Sequence, residues 1–143
     1  GALLEGETLP GIVMHNNTTL IGTGRGTVLF TKFSSYGANT DNIINAQGVQ
    51  RVRIAQLMIK GNGRTGSYHG ICFDAVANSL IDKVETQDVN MYGICLRNSS
   101  AHNQLSNNIV EASLFGIYLD SSSNNIIINN SINGSIINFR RCC

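Results

Sequence analysis

The sequence predicts an all-β fold, a parallel β-helix in which about five coils of about 23 residues each stack along one axis. Three observations predict it: an internal repeat of 23 residues, short segments rich in β-branched residues, and an abundance of asparagine. The 143 residues include 18 Asn, 17 Ile and 15 Gly, and only 13% of them are charged. We expect residues 1–143 to form a single domain, either a whole β-helix or a piece of a longer one.

The repeat is marked by a glycine followed by an isoleucine. Gly70-Ile71 recurs as Gly93-Ile94 and again as Gly116-Ile117, and each step is 23 residues. A ring precedes each of these glycines: His69, Tyr92 and Phe115. A fixed period of roughly 20 to 50 residues indicates a solenoid in which each repeat packs only on its neighbours.

The segments inside the repeat have the pattern of strands. Ile71 and Phe73 alternate with polar or small residues, and Ile81 and Val84 follow in the same unit without a helical stripe. Leucine-rich repeats need their own leucine and asparagine spacing, which is absent. A coil of two or three short strands, stacked in parallel on the next coil, is the architecture that remains.

The same pattern extends on either side of the three clear repeats. Ile44–Gln47 corresponds to Ile71–Asp74 at an offset of 27 residues, which assigns the extra four residues to a glycine-rich loop at 61–67. An earlier coil is expected through 12–14 and 19–22, and a last, shortened coil through 132–139.

Asparagine is expected at the corners between strands. It tolerates the left-handed conformation and its amide can hydrogen-bond to the next coil. The corner asparagines are predicted to be Asn103, Asn107, Asn108, Asn124, Asn125, Asn129 and Asn130.

Charge and hydropathy exclude some partners. Ten Lys and Arg against nine Asp and Glu give a net charge of +1, which argues against nucleic acid. No apolar run approaches the roughly 18 residues of a membrane span, so no membrane partner is expected. Four cysteines are too few for a disulfide scaffold. The compartment stays undetermined; it would be extracellular or periplasmic if the chain belongs to a longer secreted protein.

Two stretches resemble the opening coils of the pectin lyase-like superfamily of right-handed β-helices. They are TLIGTGRGTVL at residues 19–29 and LMIKGNG at 57–63, and with the Gly-Ile repeats the resemblance covers about residues 11–135. The superfamily includes polysaccharide lyases, epimerases and hydrolases, phage tailspikes, and periplasmic sugar-binding or copper-maturation proteins. The resemblance therefore implies the fold but not one chemistry.

No enzyme motif of that superfamily is complete in this chain. Polygalacturonases are matched only by residues 39–41, Asn-Thr-Asp, and by His69-Gly70, and mannuronan epimerases only by Asp74. The calcium-binding carboxylates and arginine base of pectate lyases are loosely matched by Asp74, Arg97 and Asp120. The resemblance thus implies no cofactor, apart from Ca²⁺ if the chain is lyase-like.

One outward face gathers the candidate site residues. If Ile71 and Phe73 point inward, the residues between them stack outward in two columns: Asn45, Cys72, Cys95 and Tyr118, and Gln47, Asp74, Arg97 and Asp120. With His69 and Tyr92 at the strand entry, they predict an exposed groove for polysaccharide. The catalytic candidates are Asp74, Arg97, Asp120 and His69. The substrate-binding candidates are Tyr92 and Tyr118, whose rings would stack on sugars, together with Asn45 and Gln47.

Plainer interpretations of the same residues stay open. Asp74, Arg97 and Asp120 also fit a cross-strand ladder of alternating charge. Cys72 and Cys95 are near enough for a disulfide, although free thiols are expected, and His69 fits a position at a loop edge. The function expected is a module that binds or cleaves polysaccharide as a lyase, epimerase or hydrolase. The alternative is a non-catalytic assembly module, like a phage tail fibre or adhesin, that forms a homo-oligomer through its open coil ends.

Overall fold

The computed structural model describes residues 11–30, 42–61, 68–112, 114–133 and 136–139. In these residues the secondary structure is β-strand without helix, and every strand pairs in parallel. The strands are β1 (Ile12–Met14), β2 (Thr19–Ile21), β3 (Val28–Phe30), β4 (Ile44–Gln47), β5 (Arg53–Lys60), β6 (Ile71–Asp74), β7 (Leu80–Val89), β8 (Tyr92–Arg97), β9 (Gln104–Ser106), β10 (Ile109–Ala112), β11 (Phe115–Asp120), β12 (Ile126–Ile128), β13 (Ser131–Asn133) and β14 (Ile136–Phe139).

The first side of the molecule is a sheet in the order β1-β4-β6-β8-β11-β14. Ile71 pairs with Ile94 and Ile94 with Ile117, so the 23-residue repeat becomes the step from one strand to the next. Ile44 pairs with Ile71 at the predicted 27-residue offset. The predicted glycine-rich loop lies largely at residues 62–67, outside the described residues, as does the motif at 39–41.

The other two sides arise because the long strands turn a corner. β7 pairs with β9 through residues 80–82 and with β10 through residues 85–89, and Lys83 between them has a positive φ of 54°. β5 turns in the same way at Gln56, with φ 54°, and pairs with β2 before the corner and with β3 after it. Each full coil therefore has three sides around one interior.

The interior holds the residues that the alternating pattern placed inside. Ile71, Phe73, Ile81 and Val84 are at most 1% exposed and belong to one apolar cluster. Burial of each such side chain contributes roughly 1.5–3 kcal/mol, and this drives the coils to stack.

The repeated glycines mark a close approach inside the coil. A Cβ on Gly93 would lie 2.3 Å from Cγ1 of Val110 and 2.9 Å from the backbone oxygen of Gly116. A Cβ on Gly116 would lie 2.2 Å from Cγ2 of Ile132. The glycine that announces each repeat is thus required by packing rather than by an unusual φ.

The corner asparagines divide into two kinds. Asn107, Asn124 and Asn129 have positive φ of 55–57°, the left-handed conformation that asparagine tolerates. Asn103 and Asn108 are 1% exposed, and their amides bond to backbone groups of the preceding coil. The predicted amide contacts to the next coil are present as well: Asn103 Nδ2 donates to Asn125 Oδ1 at 3.1 Å, and Asn108 Nδ2 to Asn130 Oδ1 at 2.9 Å.

The described part of the chain contains no helix that is long and apolar enough to span a membrane.

Candidate functional site

The two outward columns on the first sheet have the register that the sequence predicts. Asn45 pairs with Cys72, Cys72 with Cys95, and Cys95 with Tyr118. Two residues further along the same strands, Gln47 pairs with Asp74 and Asp74 with Arg97. Asp120 ends β11, two residues after Tyr118.

The cysteine column is buried, so the prediction that Cys72 lies on an exposed groove floor is wrong. Cys72 is 0% and Cys95 1% exposed, although neither belongs to the apolar core cluster. Cysteine is short, and the longer side chains of the same face, such as Tyr118 and Arg97, rise beside it. Both cysteines are free thiols, as expected.

The two thiols interact with each other. A hydrogen bond from the Cys95 thiol lowers the pKa of Cys72, and the positive charge of Arg97 adds to this effect against the opposing effect of burial. The same hydrogen bond, together with burial, raises the pKa of Cys95. The pair therefore holds one proton between two sulfurs more readily than it releases both protons.

The charged column contains a closed ion pair. Arg97 Nε lies 2.9 Å from Asp74 Oδ2, and the Asn98 amide donates to Asp74 Oδ1 at 2.8 Å. The Asp74 side chain is 13% exposed and that of Arg97 27%. In the next coil, the Ser121 hydroxyl donates to Asp120 Oδ1 at 3.0 Å. The first two members of the predicted charge ladder are thus in contact.

The rings of the site stack on one another along the axis of the coils. The ring centroids of His69 and Tyr92 are 4.6 Å apart with planes at 2°, and those of Tyr92 and Tyr118 are 4.2 Å apart at 10°. Because the three residues follow one another in successive coils, both faces of Tyr92 are covered. The predicted stacking of a sugar on the face of Tyr92 is therefore wrong, and the ring offers only its edge and its hydroxyl.

His69 is buried in this stack, which corrects the expectation of a loop-edge residue in an open groove. It is 3% exposed, and its Nδ1 accepts the backbone N–H of Tyr92 at 3.4 Å. Burial, and secondarily the charge of Arg97, lowers the pKa of His69 to about 4. The imidazole is therefore neutral near pH 7.

The depressed pKa of His69 predicts a pH dependence of stability. In the unfolded chain the imidazole titrates at its ordinary value of 6.5, so below that pH the unfolded state binds more protons than the folded state. We expect up to about 3 kcal/mol of stability to be lost as the pH falls from 6.5 towards 4. Urea unfolding of the parent and of His69→Gln across this range measures it, since glutamine keeps an acceptor and does not titrate. Parallel pH profiles for the two proteins would contradict the prediction.

The remaining substrate-binding candidates lie at the margin of the site. Asn45 is half-buried, and its Oδ1 accepts a hydrogen bond from the Asn42 amide at 3.2 Å. Gln47 is exposed beside Asp74. Neither is brought into the buried thiol pair.

Sequence reasoning did not find a second polar cluster, on the third side of the coils. Arg25 binds Glu85 through two hydrogen bonds of 2.7 Å, and the Gln87 amide donates to the same carboxylate at 3.0 Å. The hydrogen bonds of Arg25 lower the pKa of Glu85. The two residues are 60 positions apart and outside the repeat's first strand, so the sequence carried no signal that pairs them.

The described residues contain no group of three or more His, Cys, Asp or Glu side chains arranged to hold a metal ion. The Cys72 and Cys95 pair is therefore a set of two soft donors, suited only to an ion that accepts a low coordination number.

Parallel strands stacked on three sides, with glycine and asparagine columns at fixed spacing, define a protein of the parallel β-helix class. The model of the family described as periplasmic copper-binding protein (NosD) matches residues 11–139, and the chain belongs to this family. The family's right-handed β-helix lies in the pectin lyase-like superfamily, as the resemblance implied. No curated protein and no solved structure matches the chain.

Proposed function

We propose that the chain is a β-helix module that binds copper(I) as cargo through the thiols of Cys72 and Cys95. The observation that carries the proposal is this buried pair of free thiols, in register on neighbouring strands and joined by a hydrogen bond. Membership of a family described as copper-binding supports it.

The donor set fits copper(I) by its chemistry. Thiolates are soft ligands and select copper(I) over magnesium, calcium or manganese. Tetrahedral zinc would need about four donors, and the described residues offer no cluster of three. The proton shared by the two sulfurs occupies the interval in which a cation with few ligands would be held, and burial shields that interval from water and oxidants.

Arg97 and Asp74 have a supporting role in the proposal. Loss of the shared proton leaves a second negative charge, which the guanidinium of Arg97 offsets, and Asp74 fixes Arg97 through the 2.9 Å ion pair. These two residues therefore balance charge beside the thiols without binding the metal.

The test is a copper(I) titration of the reduced protein against a chromogenic copper(I) chelator, without oxygen. Cys142 and Cys143 lie outside the described residues and are first replaced by serine so that they cannot bind the metal. We expect one copper(I) per chain with sulfur-to-copper absorption in the ultraviolet, and no stoichiometric binding in Cys72→Ser or Cys95→Ser.

The control separates a lost ligand from a damaged fold. Val110→Ala removes buried methyl groups on another side of the coil and is expected to lower stability while retaining copper(I) binding. If the double variant Cys72→Ser/Cys95→Ser binds copper(I) as tightly as the parent, the metal is held elsewhere and the proposal fails.

A second candidate function is the binding or cleavage of polysaccharide on the same face. It is supported by the half-buried polar side chains of Asp74, Arg97 and Asp120, which lie in one outward row. The hydroxyls of Tyr92 and Tyr118, rather than their faces, would then contact sugar. Incubation with acidic and neutral polysaccharides, with and without Ca²⁺, tests it by unsaturated products and new reducing ends. Asp74→Ala with Arg97→Ala should abolish any such activity.

The finer description of the solenoid also belongs to the proposal: about five coils of about 23 residues that associate end to end. Support comes from the 23-residue register of β6, β8 and β11, and from β12 at a sheet edge, where Ile126 and Ile128 are about half exposed. A molecular mass in solution that corresponds to one chain at high concentration would rule out the association.

A further inference from the structure

We propose that Cys72 and Cys95 also form a thiol-oxidation site, a dithiol that closes reversibly to an intrachain disulfide and cannot bind copper(I) while closed. The oxidation site stands on geometry alone, whereas its effect on copper rests on the proposed function.

The register of the strands brings the two cysteines within reach. Cys72 and Cys95 are direct partners on neighbouring parallel strands, which are spaced about 4.8 Å apart. Disulfides join residues whose Cα atoms lie about 4.4–6.8 Å apart, so the strand spacing falls inside that window. The two sulfurs already contact each other through a hydrogen bond and point to the same side of the sheet.

The same geometry makes the disulfide easy to reduce. In a relaxed disulfide the Cβ atoms lie about 3.8 Å apart, which is closer than in-register residues of parallel strands. Closure must draw β6 and β8 together on a face where the Asp74–Arg97 ion pair and the pairing of Ile71 with Ile94 hold them at normal spacing. Strained disulfides have higher reduction potentials and behave as reversible couples.

The chemistry is thiol–disulfide exchange with a small-molecule disulfide as oxidant. One protein sulfur, as thiolate, attacks a sulfur of the reagent, breaks its S–S bond and releases the first small thiol. The second protein thiolate then attacks the mixed disulfide and releases the second small thiol. The reagent gains two electrons and two protons, and the protein loses the same. Copper(I) needs the lone pairs of two free thiolates, which the S–S bond removes.

The experiment uses the folded chain with Cys142→Ser and Cys143→Ser, treated with hydroxyethyl disulfide. Intact mass after removal of the reagent is expected to fall by two hydrogens, and peptide mapping should find Cys72 joined to Cys95. Copper(I) titration is made on the reduced, oxidised and re-reduced protein, and binding is expected to be lost on oxidation and regained on reduction. Cys95→Ser under the same treatment should stop at a mixed disulfide on Cys72.

The two proposals fail separately. If the mass is unchanged, or if stable mixed disulfides form on both cysteines, the oxidation site is overturned whatever the copper titration gives. If the disulfide forms but the reduced protein does not bind copper(I), the oxidation site stands and the proposed function fails. If the oxidised protein binds copper(I) as the reduced one does, the effect of oxidation on copper is overturned.

Discussion

Replacing Asn108 with alanine is expected to lower the free energy of unfolding by roughly 3–5 kcal/mol. The Asn108 amide accepts the backbone N–H of Val84 at 2.9 Å and donates to the backbone oxygen of Ile81 at 3.1 Å, all buried. It also donates to Asn130 Oδ1. Alanine leaves a buried donor and a buried acceptor without partners, and each costs about 1–3 kcal/mol. Urea unfolding followed by circular dichroism measures the change.

A matched control is the neighbouring kind of asparagine. Asn129 is exposed with a φ of 55°, so Asn129→Gly keeps the left-handed corner and removes no bond to the preceding coil. We expect its effect to stay within about 0.5 kcal/mol. If the two variants are destabilised equally, the buried amide ladder contributes no more than an ordinary corner residue.

Gly93→Ala is expected to destabilise the protein by about 3 kcal/mol through overpacking. The new methyl group would meet Val110 Cγ1 at 2.3 Å, the Gly116 oxygen at 2.9 Å and Thr86 Oγ1 at 3.0 Å. Val110 is fully buried, so it has little room to turn away. The same unfolding measurement applies, and an alanine tolerated without loss would show that the coil can widen at this point.

A double-mutant cycle isolates the clash. Val110→Ala alone should cost about 2 kcal/mol, because it leaves a small cavity. In the Val110→Ala background the added methyl group of Gly93→Ala fills part of that cavity. The cost of Gly93→Ala is therefore expected to shrink by about 1 kcal/mol or more. Strict additivity would place the strain at the backbone of Gly116 instead.

The sequence alone predicted the strands and their register because in a solenoid the repeat period is the register. Once Gly70 and Gly93 were aligned, the partners of Cys72 and Asp74 followed by counting. The 27-residue offset before Ile71 was read correctly because Ile44 keeps the same position in its strand.

What the sequence did not predict is how high the side chains rise above the outer face. Alternation places Cys72 outside, but whether an outward thiol is exposed depends on the length and orientation of its neighbours. The burial of His69 follows from its stacking on Tyr92, which is a matter of ring orientation rather than of spacing. The Arg25–Glu85 pair joins positions with no shared periodicity, so no pattern announces it.

The three-sided coil with its 23-residue step also shapes how such a gene can change. Duplicating the segment that encodes one coil, for instance residues 93–115, would insert a further layer whose contacts are all with adjacent layers. The copied coil would bring its own glycine, its own buried amides and a second copy of Cys95 directly above the first. Length, and with it the number of thiols in the row, can therefore grow by whole coils in descendants of this chain without a redesign of its interior.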